Sequence, residues 1–465
     1  MISLNAATLL SGNGIDVNSL VSQVLAPENG QLQLYQQQQS DLQTQASLLN
    51  RMNSDLSSLA DAVNSLTDVI GPLTAQTVNS SQPSIVTGSA QSTATPGTHE
   101  IVVNTLATQG TLYTDALADA NTSILPDEST SGDLEIQIGG PTGATHDVTI
   151  TAGSNDTLAT LAGYINTQAW GVTATVLNDA SGARLAIYSQ STGSSGALSV
   201  AGNTTVLTFN GPVGGTNAGF TVDGIPFSSD TNTVTGAIPG VTLNLLAAFP
   251  GIDAQLSVGP DLTQATQAIS NFVSAYNNVI SDINQQFTVN PGTNSEGPLA
   301  SIGSIRSLQS SLLADATYAT VTGGFASLRS LGITMNDDGT LSIDSGQLSS
   351  VLSNDPSSVV DFFQNAASTG FANNFAADLR NLTDPALGLL NLDLAQNQQE
   401  QLNLTNNISQ FQDHMTAQQQ QLVAEFSQVN ALIEAYPFML EAIDMQLGIQ
   451  PSSAGSTVPA TGTSS

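Results

Sequence analysis

The sequence predicts a multidomain α+β protein: a long helical coiled-coil stem formed by both chain termini, carrying inserted antiparallel β head domains. Three observations predict it. Near the C-terminus, Leu404, Ile408, Phe411, Met415, Leu422, Phe426, Val429, Ile433, Tyr436, Leu440, Ile443 and Leu447 recur mostly at alternating steps of three and four, the spacing of a coiled-coil seam. Near the N-terminus, Leu49, Met52, Leu56, Leu59, Val63, Leu66 and Ile70 step the same way, and Leu42 extends the pattern backwards through Gln45. Between these, from about Val78, the apolar period changes from helical to two. A lone seam has nothing to bury against, so pairing the two ends brings the termini together and makes everything between them an insertion.

Taken in order, Asp16 follows Gly12 and Gly14 as an N-cap for a short amphipathic helix with Val17, Leu20, Val21, Val24 and Leu25. Pro27 and Gly30 are expected to interrupt that helix, and Gly71 and Pro72 to end the following one. Nine β-branched runs read as antiparallel strands: 84–88, 99–106, 134–140, 146–151, 171–177, 184–189, 220–224, 240–246 and 253–258. One helix, capped by Asp156 and presenting Leu158, Leu161, Ala162 and Ile165, breaks the series, so residues 130–200 read as a strand, strand, helix, strand, strand lobe. Asp261 then caps a third seam, Leu262, Ala265, Ile269, Phe272, Tyr276, Val279 and Ile283. Beyond it Asp338-Gly339 suggests a two-residue type I′ hairpin between GITM and TLSI. In the C-terminal seam the alternation slips between Met415 and Phe426. Whichever of Gln418 or Gln419 faces inward, two four-residue steps fall together and locally unwind a supercoil. Pro437 should kink or end that last helix.

The expected division is a leg and stem at 1–75, a head β domain in two parts at 76–129 and 205–259, and the inserted lobe at 130–204. A helical stem domain with its hairpin follows at 260–393, then a coiled-coil leg at 394–449 and a disordered tail at 450–465.

Composition excludes several functions. The 465 residues hold 37 acidic groups against five basic ones, Arg51, Arg184, Arg306, Arg329 and Arg380, and no Lys. A net charge of -32 repels phosphate backbones and anionic lipid headgroups, which argues against nucleic acid and membrane-surface partners. With no Cys there are no disulfides, thiolate metal sites or Cys nucleophile. No apolar run reaches the ~18 residues that span a bilayer, and MISLNAATLLSGNGIDV lacks the basic and apolar regions of a general secretory signal.

No residue pattern signals catalysis, a cofactor or a metal. His99, His146 and His414 fall in two strand runs and a helix, with no second His at helical spacing. Around Asn336, Asp337 and Asp338, aligning Gly339 to the glycine of an EF-hand loop puts Thr334 and Ser345 where acids are required. Gly12 and Gly14 lack both the third glycine and the preceding strand of a dinucleotide loop. Trp170, Tyr164 and Phe209 could stack on a sugar, although burial in a core is the commoner fate.

Four stretches resemble one family, in its order along the chain. They are SGNGIDVNSLVSQVL, with Gly14, Ile15, Asp16, Val17, Leu20 and Val21 at the matching places; FTVDGIPFSSDTNTVTGAIPGVTLNLL at 220–246; LGITMNDDGTLSIDSGQLSSVLSNDPSSVVDFF at 331–363; and the closing seam. These are similar to the flagellar filament-capping family, also called flagellar hook-associated protein 2, over nearly the whole chain. The lobe at 130–200 is like the inserted repeat shared by flagellins, hook-associated proteins and caps. The resemblance implies a non-enzymatic protein exported through the flagellar type III apparatus to the filament tip, where it forms a pentamer-like homo-oligomeric ring. Heptad spacing with mixed Leu, Ile, Phe and Met does not itself select a subunit number. Implied partners are flagellin, the hook-filament junction proteins and an export chaperone, with host mucin or glycans at the head. Two other readings are a different flagellar axial protein, such as a flagellin or junction protein, and a secreted adhesin.

Overall fold

The computed structural model describes residues 16–292, 295–320, 324–365 and 367–447. Gly12, Gly14 and Ile15, and the tail expected at 450–465, lie outside the described residues.

The described residues open with α1 (Val17–Thr67), a single helix of 51 residues capped by Asp16, whose carboxylate accepts from the Ser19 N–H at 3.1 Å. The break expected at Pro27 and Gly30 does not occur. Pro27 removes only the N–H that would reach the Gln23 carbonyl, at a cost of about 3 kcal/mol, and the buried Val21 and Leu25 hold the turns before it in place. At its other end the helix stops at Thr67, four residues before Gly71. There the Asp68 carboxylate accepts the Ile70 N–H at 3.0 Å and turns the chain away. Ile70, expected in the seam, therefore lies past the helix and is 76% exposed.

The head follows. β1 (Gln76–Ser80), β2 (Val86–Ala90), β3 (Gly97–Thr105) and β4 (Gln109–Thr114) precede the lobe strands β5 (Ser131–Ile138) and β6 (Ala144–Thr151). After α2 (Leu158–Thr167) come β7 (Val172–Asp179), β8 (Gly182–Thr192), β9 (Leu198–Asn203) and β10 (Phe209–Val213). β11 (Ala218–Val222), β12 (Ile225–Ser229), β13 (Thr233–Ile238), β14 (Val241–Leu245) and β15 (Ala254–Pro260) complete the head. The sheets β1-β15-β3-β11-β12 and β13-β14-β2 enclose one core around Val103, Phe220, Leu243 and Leu256. The sheets β10-β4-β8-β7 and β6-β5-β9, with α2, enclose a second around Leu134, Ile150, Leu161 and Ile187. Every named pairing is antiparallel. That second core also takes Leu112, Ile124, Leu125 and Leu207 from outside residues 130–204.

All nine expected runs are strands; β1, β4, β9, β10, β12 and β13 are additional. The cap of α2 is Thr157, one residue past Asp156, in a reciprocal capping box with Thr160. The two-residue type I′ turn lies at Asp223-Gly224, both at positive φ (52° and 77°), where Val222 faces Ile225.

The stem resumes with α3 (Leu262–Phe287), α4 (Gly303–Ala316), the hairpin of β16 (Ile333–Met335) and β17 (Leu341–Ile343), α5 (Ser345–Asn354), α6 (Pro356–Phe363), α7 (Phe371–Leu382) and α8 (Leu389–Gln446). Asp261 caps α3 through the Thr263 and Gln264 N–H groups. The hairpin differs from expectation: Met335 pairs with Leu341 and only Gly339 has positive φ, so the Asn336 carbonyl accepts from Gly339 at 3.0 Å in a longer loop. One core unites Leu49, Met52, Leu56, Leu59, Val63 and Leu66 of α1 with the third seam on α3 and with Phe362, Phe363, Phe371 and Phe375. Phe371 stacks on Phe362 at 5.4 Å and meets Phe272 edge-on at 5.8 Å.

Leu56→Ala should lower stem stability by about 2–5 kcal/mol in urea unfolding, whereas Ile70→Ala should change it by less than about 0.5 kcal/mol. Comparable losses at both positions would return Ile70 to the seam.

Candidate functional site

α1 and α8 lie antiparallel, and their register is set by uncharged pairs. Asn53 donates to Asn391 at 2.5 Å, Asn397 to Gln45 at 3.3 Å and Gln39 to Thr405 at 3.0 Å. Further out Tyr35 meets the edge of Phe411 at 5.7 Å. Continued at this register, Val17 lies beside the turn around Ser427, so the last five turns of α8 run past the first described turn of α1.

Burial along the C-terminal seam follows from this overhang. Leu404 and Ile408 are buried, and Phe411, Met415, Leu422 and Phe426 are half-buried. Val429, Tyr436, Leu440, Ile443 and Leu447 are exposed, Leu447 to 69%, with Ile433 half-buried among them. At the slip it is Gln418 that turns inward: Gln419 is exposed, and the Gln418 Oε1 is buried without a partner. The helix does not end at Pro437 but continues to Gln446, losing only the N–H that would reach the Ile433 carbonyl. Off the seam, Leu432, Phe438, Met439 and Met445 are exposed as well, so these turns are apolar on most sides. Sequence periodicity missed these four, although the run Tyr436–Leu440 breaks the three-four rule and could have signalled Phe438 and Met439.

Two open grooves run between the helices. One of about 410 Å³ is lined by Leu42 and Leu404 among amides and the carboxylates of Asp41 and Glu400, and one of about 500 Å³ by Leu25, Leu32 and Met415 among polar side chains. Of the predicted seam residues, the structure therefore brings Leu49 to Leu66 into the stem core, Leu404 to Phe426 against α1, and leaves Val429 to Leu447 as a surface.

The remaining candidates resolve into structural roles. His99 Nδ1 lies 2.8 Å from Asp223 Oδ2, and this contact, with the Glu100 N–H, holds the Asp223 carboxyl below the usual carboxylate range. His146 stacks on Trp170 at 4.7 Å, Trp170 meets Tyr164 edge-on, and Phe209 packs on the lobe core. His414 is exposed on α8. Asp338 accepts from the Thr340 N–H and hydroxyl inside its own turn, which lowers its pKa. Among the described residues no group of His, Asp and Glu could hold a metal ion, and no helix is long and apolar enough to cross a membrane.

Residues 13–110 match the N-terminus of flagellar hook-associated protein 2, residues 215–437 match its C-terminus, and residues 133–191 match the flagellin hook IN motif. The chain is 29% identical to the B-type flagellar hook-associated protein 2 of Pseudomonas aeruginosa over 446 residues, 89% of this chain and 91% of that one. It is 26% identical to the flagellar hook-associated protein 2 of Escherichia coli K12 over 75% of this chain and 78% of that one. In fold it is similar to the crystal structure of the D1-D2-D3 domains of the flagellar cap protein FliD from Escherichia coli, with a TM-score of 0.60, 24% identity and coverage of 75% of this chain and 99% of that one. With both terminal regions matched in order around the inserted motif, the chain belongs to the flagellar hook-associated protein 2 family, and is a structural, extracellular filament-cap component of the bacterial flagellum and not an enzyme.

Proposed function

We propose that this chain forms an oligomeric ring at the distal end of the filament, where it retains exported flagellin and promotes its polymerisation. The observation that carries this reading is the exposed apolar end of α8, continuous with a seam that is already buried against α1. A helix that is apolar on most sides is stable in water only when other helices enclose it. Flagellin subunits at the growing tip, and a neighbouring copy of this chain, are the partners that fit. Export through the flagellar type III apparatus, with a chaperone covering the same surface beforehand, suits a chain with no Cys to cross-link.

The division of labour follows the three cores. Residues 1–75, 260–393 and 394–449 act as stem and legs, and residues 76–129 and 205–259 form the plate that closes the filament end. The inserted lobe, 130–204 with the flanking strands β4 and β10, projects from that plate. Neighbouring plates meet through polar and apolar contacts, because five arginines against 37 acids leave little for attraction between charges.

Deleting the gene should leave cells with hooks but no filaments, and flagellin in the spent medium by immunoblot. Normal filaments would sink the proposal, and normal filaments with poor surface attachment would make the chain an adhesin. Replacing Phe426 and Ile433 together by Asp should abolish rings and filaments while thermal unfolding of the stem stays unchanged, since both positions lie outside the stem core. Normal rings from that double variant, seen by electron microscopy, would mean that assembly does not use the seam.

A further inference from the structure

Two strand edges of the head border one groove. β12 ends the five-stranded sheet and β13 ends a three-stranded one. They follow each other in the chain yet belong to different sheets, and between them runs a groove of about 620 Å³. Phe220 and Phe227, stacked with ring centroids 5.6 Å apart, line it. Along β13 it follows residues 233–237, about 16 Å of strand.

Register fixes which backbone groups these edges present. The Leu245 N–H donates to the Asn232 carbonyl, so Asn232 and Val234 turn toward β14, and Thr233 and Thr235 turn away from it. In the two-residue hairpin Val222 and Ile225 exchange bonds, so Ile225 and Phe227 turn toward β11, and Pro226 and Ser228 away. Part of each edge is guarded. Pro226 has no N–H to offer, and the Thr233 carbonyl accepts from the Thr231 hydroxyl at 2.6 Å. Ser228 and Thr235 are exposed and line the groove, and among the described residues nothing pairs with the outward N–H and C=O of either.

Other edges are closed by asparagine. Asn166 of α2 grips the outward Ala174 of β7, donating to its carbonyl and accepting from its N–H, both at 2.7 Å. Asn155 does the same on β6, at the Thr149 carbonyl and the Thr151 N–H, and Asn277 of α3 does so on β17 at Leu341. A chain with no Lys, the usual edge guard, blunts its edges with amides. Among the described residues no amide does this at Ser228 or Thr235.

We infer that the β12–β13 groove is a strand-addition site that takes an extended, uncharged stretch of unfolded polypeptide. The walls select that occupant. A strand already held in another copy's sheet has used one of its edges, whereas a segment with both edges free can satisfy two walls. The one carboxylate in the lining is Asp230, which accepts from the Ser195 hydroxyl at 3.3 Å, and an acid-rich segment would be repelled by a chain of net charge -32. Pairing through the backbone leaves sequence largely unread, and Phe220 and Phe227 receive apolar side chains from one face. Resting on the reading of this chain as a filament cap, the polypeptide that meets the groove in this state is exported flagellin before it folds.

The test is fluorescence anisotropy of the full chain with a fluorescein-labelled six-residue peptide alternating Thr and Val. Beside it runs the same peptide N-methylated at every second residue, which strips the donors from one edge. The unmethylated peptide should bind, and the methylated one at least about tenfold more weakly. Thr235→Pro, which removes an outward N–H and leaves the β14 ladder intact, should lose a similar factor. Should it fail to fold, Ser228→Pro takes its place, at an outward position like that of Pro226. Equal binding of the two peptides, unchanged binding in the folded variant, or no binding at all would overturn the proposal. So would a natural chain that dimerises in size-exclusion chromatography and is returned to a monomer by Ser228→Pro, because the occupant would then be a second copy. Whether the same variant restores filaments to a deletion strain is read separately, so the groove can fail while the ring reading stands.

Discussion

The structure depends on one apolar stripe, the one that runs along α1. Its Leu49–Leu66 half is covered by α3 and α7 within the stem, and the half from Val21 to Leu42 is shared with α8. No helix of 51 residues keeps such a stripe in water on its own propensity. The chain therefore has to return, and it returns twice, as α3 after the head and as α8 at the end. Both head cores are inserted between α1 and α3, through strands that leave and re-enter side by side: β1 pairs with β15 along its whole length, Gln76 facing Pro260. The head is thus tied to the stem through one strand pair, whatever the lobe adds beyond it.

How the α1–α8 pair is held matters as much as that it is held. Among the described residues the ion pairs are Arg51–Asp282, His99–Asp223 and Arg184–Asp179, none of them between α1 and α8. Register there comes from amide and hydroxyl contacts, which salt does not screen, and from apolar area. In a chain of charge -32 this has a physical logic. Glutamate–lysine pairs, the usual device for specifying helix partners, are closed to a chain with no Lys, and carboxylates alone would push the helices apart. Asn and Gln specify register without adding charge, and the slip at Gln418 is tolerated because an amide can sit half-buried where a carboxylate could not.

Much of this was legible in the residues, and the failures share a cause. Periodicity found the helices on which the three seams lie, all nine of the strands it assigned, and the caps at Asp16 and Asp261, because each is a local pattern set by apolar spacing or by orphan N–H groups. It misjudged places where local preference and tertiary context disagree. Pro27 and Pro437 are helix breakers by propensity, yet each removes one hydrogen bond from a helix longer than fifty residues. Ile70 kept the seam spacing after Asp68 had already turned the chain. Two Asp-Gly pairs have the same turn preference, and the flanking register alone assigns the tight turn to Asp223-Gly224 and the looser one to Asp338-Gly339. The six additional strands are short or polar and exist because a neighbour completes them; Pro226 is accommodated in β12 because that strand lies at a sheet edge.

The stem and the distal leg solve opposite problems with the same helices. In the stem the seam positions Leu49 to Leu66 of α1 have their partners inside the chain, on α3 and α7. In the distal leg the apolar surface from Val429 to Leu447 has no partner among the described residues, and much of it faces away from the line that meets α1. One more helix could cover a seam two positions wide, whereas Phe438, Met439 and Met445 lie outside that width and call for further neighbours. Among the described residues the change falls within α8, between Phe426 and Val429, beside the first described turn of α1.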